Sequence, residues 1–157
     1  TTCQTDEYTT LERRLEEQKM RPGTSVADFT INNINSNPIT FSNTLKEKNI
    51  VLFWASWCPH CTDLLNQLKP WQKKAKNSNI EFFAISLDTD KGMWKNKVSE
   101  LGIESWHNLS DFKEWNSKVA IDYNVFATPS IFVVDKNLKI IDKAESFYEL
   151  INLETFR

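Results

Sequence analysis

Ile50-Val51-Leu52-Phe53-Trp54 runs, through Ala55 and Ser56, straight into Trp57-Cys58-Pro59-His60-Cys61. An unbroken apolar run of this kind is what a central strand, covered on both faces, requires. Two cysteines with two residues between them, at the point where such a strand gives way to a helix, can close a small, readily opened disulfide. The same spacing is half of a zinc site. A structural zinc centre wants a closed tetrahedral ligand set, yet no second such pair and no paired histidine follows. The remaining histidine is His107 and the remaining cysteine is Cys3. The placement favours redox chemistry.

Working outward, 157 residues is a single-domain length that buries most of its apolar surface without disulfide staples. A 40% hydrophobic, 25% charged composition with a net charge of −2 describes a soluble globular chain without a nucleic-acid footprint. The longest apolar run, Ile50 to Trp57, is far too short to cross a bilayer. Thr1-Thr2-Cys3-Gln4 lacks the basic region and apolar core of a signal peptide. The expectation is a mature chain whose export signal has been removed, or a piece of a longer precursor. Three cysteines are too few for a disulfide scaffold. Cys3 reads either as an unpaired thiol or as one bonded to upstream sequence.

Thr5 to Met20 reads as a polar helix with a narrow stripe of Tyr8, Leu11 and Leu15, ended by Arg21-Pro22-Gly23. Residues 1–22 are therefore set apart from a domain over 23–157. Val26, Phe29 and Ile31 suggest a short strand, and Ser42 to Glu47 a short helix with Ser42 as its N-cap. The helix after Pro59 carries Leu64, Leu65, Leu68 and Trp71 on one face, with Pro70 expected to kink it. Ile80 to Leu87 is the next buried strand. Asp88 or Asp90 caps a helix to about Leu101, stopped by Gly102. Trp106 to Leu109 reads as a short strand, Phe112 to Tyr123 as a helix, and Ser130 to Val134 as a strand. The last turns back through Asp135-Lys136-Asn137 into Lys139 to Asp142, and Ser146 to Thr155 reads as a terminal helix. Strands alternating with helices and closing on a hairpin imply an α/β fold with a mixed sheet.

Thiolate, not thiol, attacks a disulfide, so one cysteine must be activated. Cys58 falls at the start of its helix, where unpaired backbone N–H groups and the positive dipole end favour negative charge. Pro59 suits the first helical position. Cys58 is expected to be the exposed nucleophile, and Cys61, one turn further in and more buried, the resolving thiol. His60 can bring positive charge near the sulfur and make the disulfide more oxidising, or it can simply point to solvent. Trp57 is either an ordinary surface aromatic or part of a platform on which a partner docks. Thr128-Pro129 precedes the third buried strand, and from spacing alone its peptide bond reads equally as trans or cis.

Phe53 to Cys61, followed by Ala127-Thr128-Pro129-Ser130-Ile131-Phe132-Val133-Val134-Asp135, resembles the thioredoxin superfamily, and within it the extracytoplasmic TlpA/ResA branch. Pro22 to Ile31 and Phe83 to Asp88 are similar to that branch in the corresponding order, so the resemblance covers about Gly23 to the C-terminus. It implies a thioredoxin-like fold, a central mixed sheet flanked by helices, and dithiol–disulfide exchange at Cys58 and Cys61. It also implies a cis peptide before Pro129, with Thr128 and Pro129 forming a substrate-binding edge. Protein thiols or disulfides, and a membrane-linked redox partner, would be the partners. The implied place is outside the cytoplasm, periplasmic or tethered to the membrane, with no insertion of this chain itself.

The chain departs from that pattern in three places. Leu52 stands where thioredoxins carry a buried aspartate, and Leu64 where ResA-type proteins carry a glutamate. Ala127-Thr128-Pro129-Ser130 replaces the Gly-x-Pro-Glu element of the cytochrome-maturation relatives. The branch points to a reductant, whereas the Pro59-His60 dipeptide matches DsbA-type oxidants, so both directions stay open. A peroxiredoxin-type peroxidase wants a threonine where Ala55 stands. The non-enzyme alternative is a copper or zinc handling module built from Cys58, His60 and Cys61. The redox reading itself calls for no cofactor and no bound metal.

Overall fold

The computed structural model describes residues 3–4, 11, 20–74 and 77–156. Apart from Leu11 and Met20, the expected helix over 5–20 lies outside the described residues.

The apolar run around Val51 becomes β4 (Lys48–Trp54), buried along nearly its whole length as its composition demands. It lies at the centre of a five-stranded sheet in the order β6-β5-β4-β8-β9. The other members are β5 (Ile80–Ser86), β6 (His107–Leu109), β8 (Ser130–Asp135) and β9 (Ile140–Ala144). β4, β5 and β6 run parallel, and β8 and β9 are antiparallel additions. A small hairpin joins β2 (Thr30–Asn32) to β3 (Pro38–Thr40). Residues 23–26 bond to the β8–β9 hairpin, with Gly23 donating to the Ile140 carbonyl and Val26 to that of Leu138.

Helices α1 (Pro59–Gln72), α2 (Lys91–Leu101), α3 (Lys118–Asp122) and α4 (Phe147–Ile151) complete the fold. α1 buries Leu64, Leu65, Leu68 and Trp71 as its spacing foretells, and it continues through Pro70 to Gln72. Successive strand residues face opposite ways, and β5 uses this on both of its faces. Phe82 meets Trp71 of α1 edge-on, while Phe83 meets Phe41. Gly102 ends α2 with φ 68°, a left-handed value that glycine takes without strain.

Three expected helices are shorter than their sequence suggests, the terminal one over Ser146–Thr155 being reduced to α4 and a 3₁₀ turn, Glu154–Phe156. Over Ser42–Glu47 there is only a single 3₁₀ turn, Phe41–Asn43, because Ser42 gives its N–H and hydroxyl to Asp28 instead of capping a helix. Over Phe112–Tyr123, Phe112 and Glu114 adopt φ of 60° and 55°, which a right-handed helix cannot contain. The segment breaks into a 3₁₀ turn, Glu114–Asn116, and the short α3.

Candidate active site

β4 delivers the chain to the site through a tight turn, in which the Cys58 N–H donates to the Ala55 carbonyl at 3.1 Å. Cys58 is the N-cap of α1, with extended backbone (φ −102°, ψ 108°), and its carbonyl accepts from Thr62 N at 3.2 Å, which starts the helix. Pro59 takes the first helical position, where its missing N–H costs nothing. Cys58 and Cys61 are both present as thiols, and both are 0% exposed. The expected contrast between an exposed first sulfur and a buried second one is therefore absent. Trp57 is 41% exposed and His60 is exposed, so the surface of the site is made by these two side chains and Pro59.

Across from the helix start lies β7 (Ala127–Thr128), a two-residue strand followed by Pro129, and the Thr128–Pro129 peptide bond is cis. The Cys58 Sγ–H donates to the Thr128 carbonyl at 3.7 Å. Burial pushes the Cys61 thiol far above its ordinary value, and the hydrogen bond and charge of the adjacent Cys58 push it further. The Ala55 backbone and the Thr128 side chain oppose this more weakly. The Thr128 hydroxyl is buried and has no other hydrogen-bond partner among the described residues.

Leu52 and Leu64 are buried side chains of the core, 1% and 4% exposed. The acid of the site stands elsewhere. Asp88, 1% exposed, accepts from the Ser56 N–H at 3.0 Å, from the Ser56 hydroxyl and from the Ser86 hydroxyl. Its own N–H donates to Ser86 Oγ at 2.9 Å, and Leu87 N bonds to the Trp54 carbonyl at 2.8 Å. A buried carboxylate thus holds the turn that presents Cys58. In the sequence Asp88 competes with Asp90 for the role of helix cap. The structure gives the cap to Asp90, which accepts from Met93 N, and leaves Asp88 for the turn. Ser56 and Ser86 carry no signal in the sequence; Ser86 stands two residues before Asp88, and the parallel register of β4 and β5 brings Ser56 to it.

Among the described residues no group of three or more histidine, cysteine, aspartate or glutamate side chains is placed to hold a metal ion. No described helix is long and apolar enough to cross a membrane.

Comparison with known proteins matches residues 22–143 to the AhpC/TSA family. Thiol-disulfide oxidoreductase ResA of Bacillus thuringiensis is 24% identical over 129 residues, covering 82% of this chain and 72% of that protein. A thiol:disulfide interchange protein DsbE homolog of Paracoccus denitrificans is 29% identical over 97 residues, 60% of this chain and 48% of its own length. Among solved structures, the C-terminal domain of a protein classed as a thiol-disulfide oxidoreductase from Bacteroides thetaiotaomicron superposes with a TM-score of 0.73. It is 28% identical, and the match covers 85% of this chain and 95% of that domain.

Proposed function

The chain belongs to the thioredoxin-like AhpC/TSA family, and on that premise we propose that it is a thiol-disulfide oxidoreductase exchanging disulfides with proteins through Cys58 and Cys61. The observation that carries this reading is the position of Cys58 at the N-terminus of α1, against both Cys61 and the Thr128 carbonyl. The helix start favours a thiolate there. Cys58 attacks one sulfur of a substrate disulfide, forming a mixed disulfide and releasing the other substrate sulfur as thiolate. Cys61 then loses its proton, attacks Cys58 Sγ and frees the second substrate sulfur, leaving a Cys58–Cys61 disulfide.

The order of events follows from what raises the Cys61 thiol. The charge of Cys58 and its hydrogen bond are two of those influences. Both vanish once Cys58 is tied up in a neutral mixed disulfide, so Cys61 becomes easier to ionise only after a substrate has been captured. Thr128 and Pro129 supply the backbone edge for an extended substrate, and Trp57 with His60 the surrounding surface. We place the domain at residues 23–157, since Gly23 opens the stretch that bonds to the β8–β9 hairpin, with residues 1–22 as an N-terminal segment. The ResA likeness supports a site of action outside the cytoplasm and a membrane-linked redox partner.

The test is insulin reduction with dithiothreitol, run beside trapping. Cys58→Ser should abolish turnover and trap few partners, whereas Cys61→Ser should accumulate mixed disulfides. Equal trapping by both variants, or alkylation of Cys61 before Cys58 at neutral pH, would overturn the assignment.

A further inference from the structure

The edge that faces Cys58 is already occupied by the chain itself. The partner of β7 is β1 (Cys3–Gln4), running antiparallel, with Cys3 directly opposite Thr128 and Gln4 opposite Ala127. Thr128 is the residue whose carbonyl accepts from Cys58 Sγ. Directly opposed residues of an antiparallel pair have Cα atoms about 4.5–5.5 Å apart. The register therefore sets the third cysteine of the chain one strand spacing from the residue that touches the sulfur. A second observation points the same way. Cys58 is 0% exposed, although a sulfur that exchanges with other proteins has to be reached. A third is the return path: Met20 lines a cleft with Phe126, Ala127 and Ser130, so both described ends of the segment from Gln4 to Met20 lie on this face.

An extended segment added antiparallel to a short edge is how proteins take up a peptide by strand addition. We propose that Cys3-Gln4 is an internal substrate strand and that Cys3 is a third redox thiol of this site, a proposal that rests on the reading of Cys58 as the exchanging sulfur. In the oxidised protein the Cys3 thiolate attacks Cys58 Sγ. The Cys3–Cys58 bond forms, the Cys58–Cys61 bond breaks, and Cys61 leaves as a thiolate that takes up the proton Cys3 gave off. No net oxidation occurs, and the disulfide consumed is the one the exchange activity provides. While β1 holds this edge the site is closed, and an external protein has to displace β1 before it can be bound.

The test uses the full chain carrying Cys61→Ser, treated with glutathione disulfide and mapped by mass spectrometry without reduction. Cys58 first takes one glutathione and releases the other as thiolate. Cys3 then attacks Cys58 and releases the second. A tethered thiol acts at an effective concentration of roughly millimolar order, so with glutathione held well below that the product should be a monomeric Cys3–Cys58 disulfide free of glutathione. The Cys3→Ser, Cys61→Ser double variant should keep one glutathione on Cys58. In the unsubstituted oxidised chain, a Cys3–Cys58 peptide should appear as a minor species in which Cys61 can be alkylated. The proposal is overturned if Cys61→Ser retains glutathione on Cys58 with Cys3 open to alkylation, if it gives only Cys3–Cys3 dimers, or if the unsubstituted chain yields no Cys3–Cys58 peptide. Failure of the double variant to take glutathione at all would instead overturn the role given to Cys58.

Discussion

The two walls of the site are held in opposite ways. On the β5 side, Asp88 collects the Ser56 N–H and the hydroxyls of Ser56 and Ser86, and a backbone bond from Leu87 to Trp54 closes the strand ends. On the β7 side, Thr128 meets Cys58 through one long sulfur contact and meets β1 through a ladder only two residues long. On the reading proposed above, the nucleophile is presented in a fixed position, whereas the edge beside it releases one peptide and accepts another. The hydrogen bonds are distributed accordingly: buried and charged where the turn is shaped, short and neutral where a strand must exchange.

Removing the buried carboxylate should give the largest effect. Asp88→Ala leaves the Ser56 and Ser86 donors without their acceptor, at about 1–3 kcal/mol for each buried group, so a loss of roughly 3–5 kcal/mol is expected. Urea unfolding measures it, and insulin reduction should fall with it as the turn loosens. Asp88→Asn keeps the shape and one acceptor oxygen, and should cost about half as much. A loss below about 1 kcal/mol for Asp88→Ala would mean that this wall is not held as described.

The contrast between the walls also marks what the sequence could and could not reveal. β4, β5, β8 and α1 follow from periodicity and uninterrupted apolar runs, because local pattern and tertiary burial agree there. Asp88 was visible only as one of two possible caps, since its partner Ser56 lies 32 positions away and meets it through the register of β4 and β5 rather than through spacing. The helix expected over Phe112–Tyr123 failed because two residues adopt left-handed backbone, which no composition rule announces. The burial of Cys58 was equally hidden. Position at a helix start foretells reactivity, but coverage depends on what folds across the site from elsewhere in the chain.

A second test concerns the proton that both walls enclose. Burial pushes up the Cys61 thiol and, with Asp28 and Asp122 adding to it, the Tyr123 hydroxyl. For such groups the folded state holds the proton more tightly than the unfolded state. Their contribution is fully present below the unfolded value, about 8.5 for a thiol and about 10 for a tyrosine, and is lost as the pH rises beyond it. The reduced protein should therefore lose stability above about pH 8.5, by up to roughly 1.4 kcal/mol per pH unit from Cys61. The oxidised protein has no such proton on Cys61 and should hold level until Tyr123 enters near pH 10. Urea unfolding of both forms across this range checks the sign. Equal slopes would place Cys61 in a far wetter setting than the fold provides.

On the exchangeable side, deleting residues 1–4 should cost little. A two-residue ladder contributes about 0.5–1.5 kcal/mol per hydrogen bond, so roughly 1–2 kcal/mol is expected. Alkylation of Cys58 should meanwhile become severalfold faster as its edge opens. A stability loss as large as that of Asp88→Ala, or an unchanged alkylation rate, would erase the difference between the two walls.

The smallest expected effect lies at the rim that joins them. His60 is exposed on the first turn of α1, next to the N-cap that carries Cys58. An imidazole able to carry positive charge stabilises a nearby thiolate, and stabilising the reduced form makes the disulfide a stronger oxidant. The helix start acts in the same direction. With leucines at positions 52 and 64, no acid from those places raises the cost of the negative charge. The potential should therefore lie above that of thioredoxin, on the order of −150 to −230 mV. His60→Ala should lower it by about 20–30 mV, where about 30 mV corresponds to 1.4 kcal/mol for a two-electron couple. Solvent at the exposed side chain keeps the shift this small. A glutathione titration of both proteins measures it, with Cys3→Ser present in each so that only the Cys58–Cys61 couple is read. A parent potential near −270 mV, or no change on substitution, would mean that Asp88 and the helix start set the chemistry of Cys58 without help from the rim, and that the chain works as a reductant.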